Sequence, residues 1–389
     1  MILANCSLPT NEVVYDAFES LASILNDNYG QKLCVLTSDM SCQRDITISF
    51  SQNYDTILNS INYPPSAVLD EVALSIGHFL CLETESHKYD RALKAYSYFY
   101  SLAEKLNPSV FLIWGSTWYV SKILKHICLE KGISYFILER GIFDNTFFLE
   151  SFSQTPVSSL SYINLDRFMP DTNMDSEKVK LLKQYCLNSN EEKYQCKNNL
   201  LKGVDINHEK PVLLFLGSND IGSGINPIKS IESRFAKPLF TSSYEAAVYL
   251  ARLAKNLECN LIIKPHPGNA EGCSNLSSDN VFVLHNCDFK QLIELSDVVL
   301  GLLSTSLYYP LLFNKPCVTL AKNELSIHGV SYHCEFISEI QKAIKFAFDK
   351  TGFETKKGNF EKLLCYVFDE YLFGYDESVP TRLDLHDMA

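Results

Sequence analysis

The chain has 389 residues, 46% of them hydrophobic, and its 34 basic and 46 acidic side chains leave a net charge of −12. That length and apolar content support two domains, each with a core of its own, and exclude a disordered chain. The acidic balance excludes a nucleic-acid binder that relies on a broad basic face, so any anionic ligand must sit in a local pocket.

The thirteen cysteines include no C-x-x-C pair and no Cys/His spacing of a structural zinc site, and read as buried, reduced thiols. The start, MILANCSLPTNEVVYDAF, has no basic stretch leading into a long apolar one. No segment approaches the roughly 20 apolar residues of a membrane span. The expectation is a cytosolic protein, with peripheral attachment to a membrane left open.

In chain order, KLCVLTSD, VFLIWGS and SYFILERG are the candidate strands of the first half. Between the last two, TWYVSKILKHICLEKG has apolar residues at helical spacing and ends on Gly132, a helix C-cap signal. This is one β-α-β unit and implies parallel pairing. From about Pro170 to Lys210 the composition turns polar, which predicts a surface helix or two and a linker, with a domain boundary near residue 205.

The second half restarts with the strand PVLLFLGSND and continues with the helix SSYEAAVYLARLAKNL, capped by Ser242 or Ser243. The strand CNLIIKPHP, the strand NVFVLHN, the helix DFKQLIELS, the strand DVVLGLL, the helix STSLYYPLLFNKP and the strand CVTLA follow. Two β-α halves separated by a polar linker predict an α/β protein of two doubly wound, Rossmann-like domains facing an interdomain cleft. The expected division is 1–205, 206–335, and a 336–389 segment of amphipathic helices packing back on the domains.

Open α/β sheets bind ligands beyond the carboxyl ends of their strands. Four such ends carry candidate chemistry. Glu139-Arg140-Gly141 closes an apolar strand with two charges and a residue suited to a tight exit, although a surface salt bridge accounts for it equally well. GSNDIGSG places Gly217 and Asp220 in a glycine-rich turn whose backbone N–H groups can approach a ligand, and a capping Asp is the plain alternative. Lys264-Pro265-His266-Pro267 restricts the backbone on both sides of one imidazole, which suits a hydrogen-bond donor to an oxyanion, with a positive charge beside it. Ser304-Thr305-Ser306 lies between a strand and a helix and can hold a phosphate or simply cap the helix. The joint order of the four favours one phosphate-bearing donor over four independent structural roles.

These motifs, from IWGS and LERGIFDNTFFLE through FLGSNDIGSG and KPHP to STSLYYPLLFNKP, resemble bacterial capsule polysaccharide biosynthesis glycosyltransferases, in particular the retaining β-Kdo transferase group of GT-B architecture. The resemblance covers roughly residues 105–320 and is weaker over the first hundred. Similar HP and paired Ser/Thr motifs occur in bacterial sialyltransferase families.

What the resemblance implies is a cytoplasmic enzyme using a CMP-activated nonulosonic acid donor, most of all CMP-Kdo, with a glycan or lipid-linked glycan as acceptor. It implies no cofactor, no metal and no nucleic acid, and peripheral contact with the inner membrane or with other polysaccharide-synthesis proteins. His266 and Ser304 to Ser306 would hold the CMP phosphate, with Gly217 and Lys264 in the same donor site and Arg140 on the sugar carboxylate. Asp220 would be the nucleophile and Glu139 the acid/base facing it. The Gly217-Ser218-Asn219 loop departs from the glutamine-containing loop frequent in that family, which makes Asp220 less secure than His266. An inverting CMP-sialic-acid-type transferase with Glu139 as base, a teichoic-acid-type polyol-phosphate transferase, and a non-catalytic nucleotide-sugar-binding subunit stay open.

Overall fold

The computed structural model describes residues 1–6, 12–37, 47–49, 64–79, 84–151, 153, 157–167, 173–188, 206–267, 272–285 and 287–374. The chain divides into two compact units, Met1–Glu139 with Phe148–Gln154, and Arg140–Phe147 with Thr155–Ala389.

In the first unit, β1 (Ile2–Cys6) runs parallel to β2 (Leu33–Thr37) on one side and β4 (Val110–Trp114) on the other. Helix α1 (Glu12–Tyr29) links β1 to β2, and β3 (Thr47–Ser49) pairs parallel with β2. Helices α2 (Ser66–Phe79) and α3 (Glu85–Leu106) precede β4, and α4 (Tyr119–Lys131) returns the chain to β5 (Ser134–Arg140), parallel to β4. Strand β6 (Thr146–Glu150) follows.

The expected β-α-β unit is present, and α4 ends where its sequence said it would. Gly132 takes φ 65° and its N–H closes on the Cys128 carbonyl. Tyr119, Val120, Ile123, Leu124 and Ile127 make one buried stripe of α4, packed in a core with Phe99, Phe111 and Ile113. On the same helix, buried Lys122 pairs with Glu71 at 2.7 Å.

In the second unit, α5 (Asn173–Asn188) precedes β7 (Val212–Leu216), and α6 (Ile231–Ala236) and α7 (Ser243–Asn256) lead to β8 (Asn260–Lys264). Strand β9 (Val281–Val283), α8 (Phe289–Leu295), β10 (Val298–Gly301), α9 (Tyr308–Leu312), β11 (Cys317–Thr319), α10 (Glu324–Ile327) and β12 (Tyr332–His333) complete the alternation. Helices α11 (Ile340–Phe348) and α12 (Phe353–Tyr366) then run through a π-helical turn, Val367–Tyr371, into β13 (Leu372–Gly374).

The second sheet has the order β12-β11-β10-β7-β8-β9, and the first β13-β6-β5-β4-β1-β2-β3. Every strand pair of the second sheet is parallel. With its first strand in the middle and the chain winding outward on both sides, it is doubly wound, and its switch point falls between β7 and β10. The first sheet switches in the same way between β1 and β4. The α/β class with two Rossmann-like sheets is therefore what the alternation of motifs implied.

The division differs from the one expected at residue 205, which itself lies outside the described residues. Residues 157–167 and α5 pack with the second unit, because α5 buries Val179, Leu182 and Cys186 and pairs Lys178 with Asp369 and Lys183 with Glu361 at 2.7 Å. The surface helix expected in this polar stretch is present as α5, and it is fixed to α12 and the turn after it. The expected C-terminal helices exist as α11 and α12, both in the second unit; residues beyond 374 lie outside the description.

The cysteines described are free. Burial pushes the thiols of Cys128 and Cys317 up to about 12, so these side chains act as apolar filling rather than as nucleophiles. No helix among the described residues is long and apolar enough to cross a membrane.

Three histidines of the second unit, His266, His328 and His333, are pushed below their ordinary 6.5, in each case mainly by burial. The unfolded chain then binds protons first as pH falls, so stability should be full above 6.5 and decline below it. Urea unfolding at pH 7.5 and 5.5 measures this, with a lower midpoint expected at 5.5. An equal or higher midpoint at 5.5 would contradict it.

Candidate functional site

Three adjacent strand ends of the second sheet, β8, β7 and β10, meet at its switch point, and the loops leaving them are stitched together. Leu216 pairs with Lys264 in register, and the Gly217 N–H donates to the Lys264 carbonyl at 2.9 Å. A Cβ on Gly217 would stand 2.8 Å from the His266 nitrogen and 3.1 Å from Pro265 Cα. Glycine at this place lets the Lys-Pro-His-Pro loop lie directly on the end of β7.

Ser218 makes the second link. Its N–H donates to Ser243 Oγ at 2.9 Å and its own Oγ accepts the Leu303 N–H at 3.2 Å. Gly301 closes β10 with similar economy of space, since a Cβ there would lie 2.9 Å from Leu307 Cδ2 and 3.2 Å from the Leu216 carbonyl.

Of the hydroxyl triplet after β10, Ser304 and Ser306 are half-buried and Thr305 is exposed. Ser304 caps the turn at Thr305–Leu307, its Oγ accepting the Ser306 N–H at 3.2 Å. The capping role set against phosphate binding in the sequence is thus real for Ser304.

Asp220 is only 7% exposed, and both of its oxygens are occupied. Oδ2 accepts the Ser243 N–H at 3.0 Å and Oδ1 accepts the Ser243 hydroxyl at 2.6 Å, which places the carboxylate on the first turn of α7. A negative charge there is favourable against the helix dipole and the unsatisfied N–H groups. The Asp220 charge also helps, after burial itself, to push the Cys273 thiol up.

His266 is half-buried and its imidazole is pushed down from the ordinary 6.5, first by burial, then by the Lys264 and Arg140 charges. At neutral pH the ring is therefore neutral. Arg140 reaches this neighbourhood because the turn after β5 belongs to the second unit. Gly141 makes that turn: its N–H donates to the Thr146 carbonyl at 2.7 Å, and a Cβ would fall 1.9 Å from Thr146 Oγ1. Phe143 anchors the turn, stacked on Phe368 with ring centroids 5.2 Å apart and edge-on to Tyr308 and Tyr309.

Gly217, Asp220, Lys264, His266 and Ser304 to Ser306 therefore sit on the same edge of one sheet, with Arg140 near enough to His266 to repel its proton. Glu139, half-buried at the end of β5, belongs to the first unit. The sequence reading passed over Ser218 and had Ser243 only as an alternative cap; Ser242 is the cap, accepting the Glu245 N–H at 3.1 Å. A Ser two residues before a candidate Asp at a strand end was the available signal. Residues 268–271, which follow Lys-Pro-His-Pro, lie outside the described residues.

An anion bound here would oppose the repulsion from Lys264 and Arg140 and raise the His266 pKa. We therefore expect the affinity for a nucleoside monophosphate to increase as pH is lowered from 8 toward 6. Calorimetric titrations at several pH values check this, and a flat profile in the wild type would contradict it.

No family model and no curated protein sequence matches the chain. Among solved structures, the chain is similar to two β-Kdo transferase structures of Thermosulfurimonas dismutans KpsC. The 2,4 transferase has 11% identity and a TM-score of 0.45 over 72% of this chain and 86% of that one. The 2,7 transferase has 15% identity and a TM-score of 0.40 over 70% and 85%. A UDP-GlcNAc 2-epimerase from Neisseria meningitidis, bound to UDP-GlcNAc, has 12% identity and a TM-score of 0.38 over 93% and 95%.

Proposed function

We propose that the protein is a GT-B glycosyltransferase that moves a nonulosonic acid, Kdo in the first place, from its CMP-activated form to a glycan or lipid-linked glycan of a surface polysaccharide. The observation that carries the reading is the contact of Gly217 with the His266 loop at the switch point of the second sheet, with Lys264 and Arg140 close enough to lower the imidazole's pKa. A half-buried imidazole with two positive charges near it suits a ligand with one phosphate and one carboxylate.

In this reading, His266 donates its N–H to the leaving phosphate, and the hydroxyls of Thr305 and Ser306 complete that site. Arg140 and Lys264 balance the charges of phosphate and sugar carboxylate. As the bond from the anomeric carbon to the phosphate oxygen breaks, the electron pair leaves with CMP and the donors gain strength.

Two courses lead from there. In the retaining one, an Asp220 oxygen bonds to the anomeric carbon and is displaced by the acceptor hydroxyl, whose proton goes to Glu139. In the inverting one, the acceptor hydroxyl attacks directly, Glu139 again takes the proton, and Asp220 only holds the start of α7. The commitment of both Asp220 oxygens to Ser243 favours the inverting course.

The test is incubation with CMP-Kdo and CMP-sialic acid, with CMP release followed and the anomeric configuration of any product assigned by NMR. CMP release with a glycosidic product supports the reading. A phosphodiester product would assign a polyol-phosphate transferase, and CMP binding without release would assign a non-catalytic subunit.

A further inference from the structure

Behind the hydroxyl turn, inside the second unit, two buried polar side chains meet that the proposed reaction does not use. Tyr308 follows the turn Thr305–Leu307 directly, opens α9 and is fully buried. Its hydroxyl donates to Glu324 Oε1 at 3.1 Å, and Glu324, at the start of α10, is only 2% exposed. Among the described residues, Glu324 Oε2 has no hydrogen-bond partner. An apolar pair of similar volume often fills such a place as well or better, so packing alone does not account for a buried carboxyl with one oxygen unused.

We infer that Glu324 is a positioning residue for the phosphate hydroxyls and acts on them through Tyr308. The path is short. The Tyr308 N–H donates to the Thr305 carbonyl and closes the hydroxyl turn. Helix α9 has five residues, too few to hold a direction by its own hydrogen bonds, so the orientation of the turn depends on how Tyr308 is held. Apolar packing against Phe360, with ring centroids 6.3 Å apart, encloses the phenol without giving it a direction. The hydrogen bond to Glu324 gives it one. Burial pushes the phenol well above its ordinary 10.0, so at neutral pH it keeps the proton that it shares with Glu324.

Glu324 can serve as the fixed end. Asn323 and Ser326 cap α10 reciprocally: Asn323 Oδ1 accepts the Ser326 N–H at 3.0 Å, and Ser326 Oγ accepts the Asn323 N–H at 2.9 Å. The Lys322 N–H donates to the Ala236 carbonyl at 2.7 Å, which ties the approach to α10 to the end of α6. The start of α10 is thus held without help from the hydroxyl turn. Phe143 meets the Tyr308 ring edge-on, with centroids 6.0 Å apart, so the turn that carries Arg140 leans on the same phenol. One buried pair supports two parts of the proposed anion site.

The inference rests on that phosphate site and adds the pair that sets its donor geometry. The experiment is titration of the full chain with CMP and with cytidine, followed by ligand-observed NMR, together with melting temperatures. A fault in the hydroxyl turn reaches the phosphate and leaves the nucleoside alone. Tyr308→Phe should therefore bind CMP about tenfold more weakly, the worth of one hydrogen bond to a charged group, and bind cytidine as the wild type does. Glu324→Gln keeps an acceptor for Tyr308 and should stay within about threefold of the wild type for CMP. The double variant Tyr308→Phe/Glu324→Leu, with both partners apolar, should regain the melting temperature that Tyr308→Phe loses and remain about tenfold weaker for CMP. A merely structural pair predicts that affinity returns with stability.

Unchanged CMP affinity in Tyr308→Phe, an equal loss for cytidine, or recovered CMP affinity in the double variant would overturn the inference alone. A wild type that binds CMP no better than cytidine would overturn the phosphate site and the inference with it, an outcome visible before any variant is compared.

Discussion

Gly217→Val should lose its affinity for CMP while keeping a folded second unit. The branched side chain would begin 2.8 Å from the His266 nitrogen and 3.1 Å from Pro265 Cα, both backbone atoms that no rotamer can move aside. Overpacking of this kind costs about 1–3 kcal/mol. The strain is relieved by the Lys-Pro-His-Pro loop lifting off the end of β7, and that loop aims the imidazole. Losing one hydrogen bond to a charged phosphate is worth about 1.5–3 kcal/mol, roughly 10- to 100-fold in affinity. Calorimetric titration with CMP measures the loss. Gly132→Ala supplies the control, since at φ 65° with open space around it the residue strains α4 without touching the site. A Gly217→Val protein with undiminished CMP affinity would mean that the phosphate does not sit where these loops meet.

Asp220→Asn should lower the melting temperature and leave measurable transfer. The substitution removes the charge from the first turn of α7 and turns one acceptor into an NH2 group facing a donor of Ser243, which costs about 1–3 kcal/mol of stability. Loss of activity by itself is therefore no proof of nucleophilic attack, because a disordered α7 start also loosens Ser218 and the loop after β10. Intact-protein mass spectrometry of the wild type with a fluorinated, slowly turning-over CMP-sugar separates the roles. The commitment of Asp220 to Ser243 leads us to expect no adduct, with inversion at the anomeric carbon. A sugar-mass adduct located on Asp220, together with complete inactivity of the variant at a temperature where it is folded, would establish the retaining course.

The second sheet was the more legible half of the fold. Each of its strands β7, β8 and β10 is a short apolar run that stops at Gly217, at Lys-Pro-His-Pro or at Gly301, and each stop leads into the loops that meet at the switch point. The first sheet hid its central strand. Ile2–Cys6 is five residues at the start of the chain, without alternation or a glycine exit, and its place between β2 and β4 comes from long-range pairing that local sequence does not record. The helix α5 was legible as a polar surface helix, but its allegiance to the second unit was not, because it comes from Lys178 and Lys183 meeting Asp369 and Glu361.

At the site, residue types and order were readable and partnerships were not. His266 was marked by its two prolines and Gly217 by its turn, yet nothing in the sequence tells that each needs the other. Asp220 was read as a nucleophile or as a capping Asp, and which group it would meet was not legible: its partner Ser243 lies 23 positions on, at the start of α7. Ser218 was passed over, and its Oγ links the end of β7 to the loop after β10 by accepting the Leu303 N–H. Arg140 was placed by a turn whose anchor, Phe143, finds its aromatic partners more than 160 residues away.

The account rests on a phosphate site at the switch point of the second sheet. A thermal-shift titration with CMP, UDP, GDP and CDP, run on the wild type and on His266→Ala, tests it directly. Selective stabilisation by CMP, equivalent to about 2.7 kcal/mol at a hundredfold excess over Kd and absent in His266→Ala, is the expected result. No response to CMP, a preference for UDP, GDP or CDP, or an unchanged response in His266→Ala would contradict it.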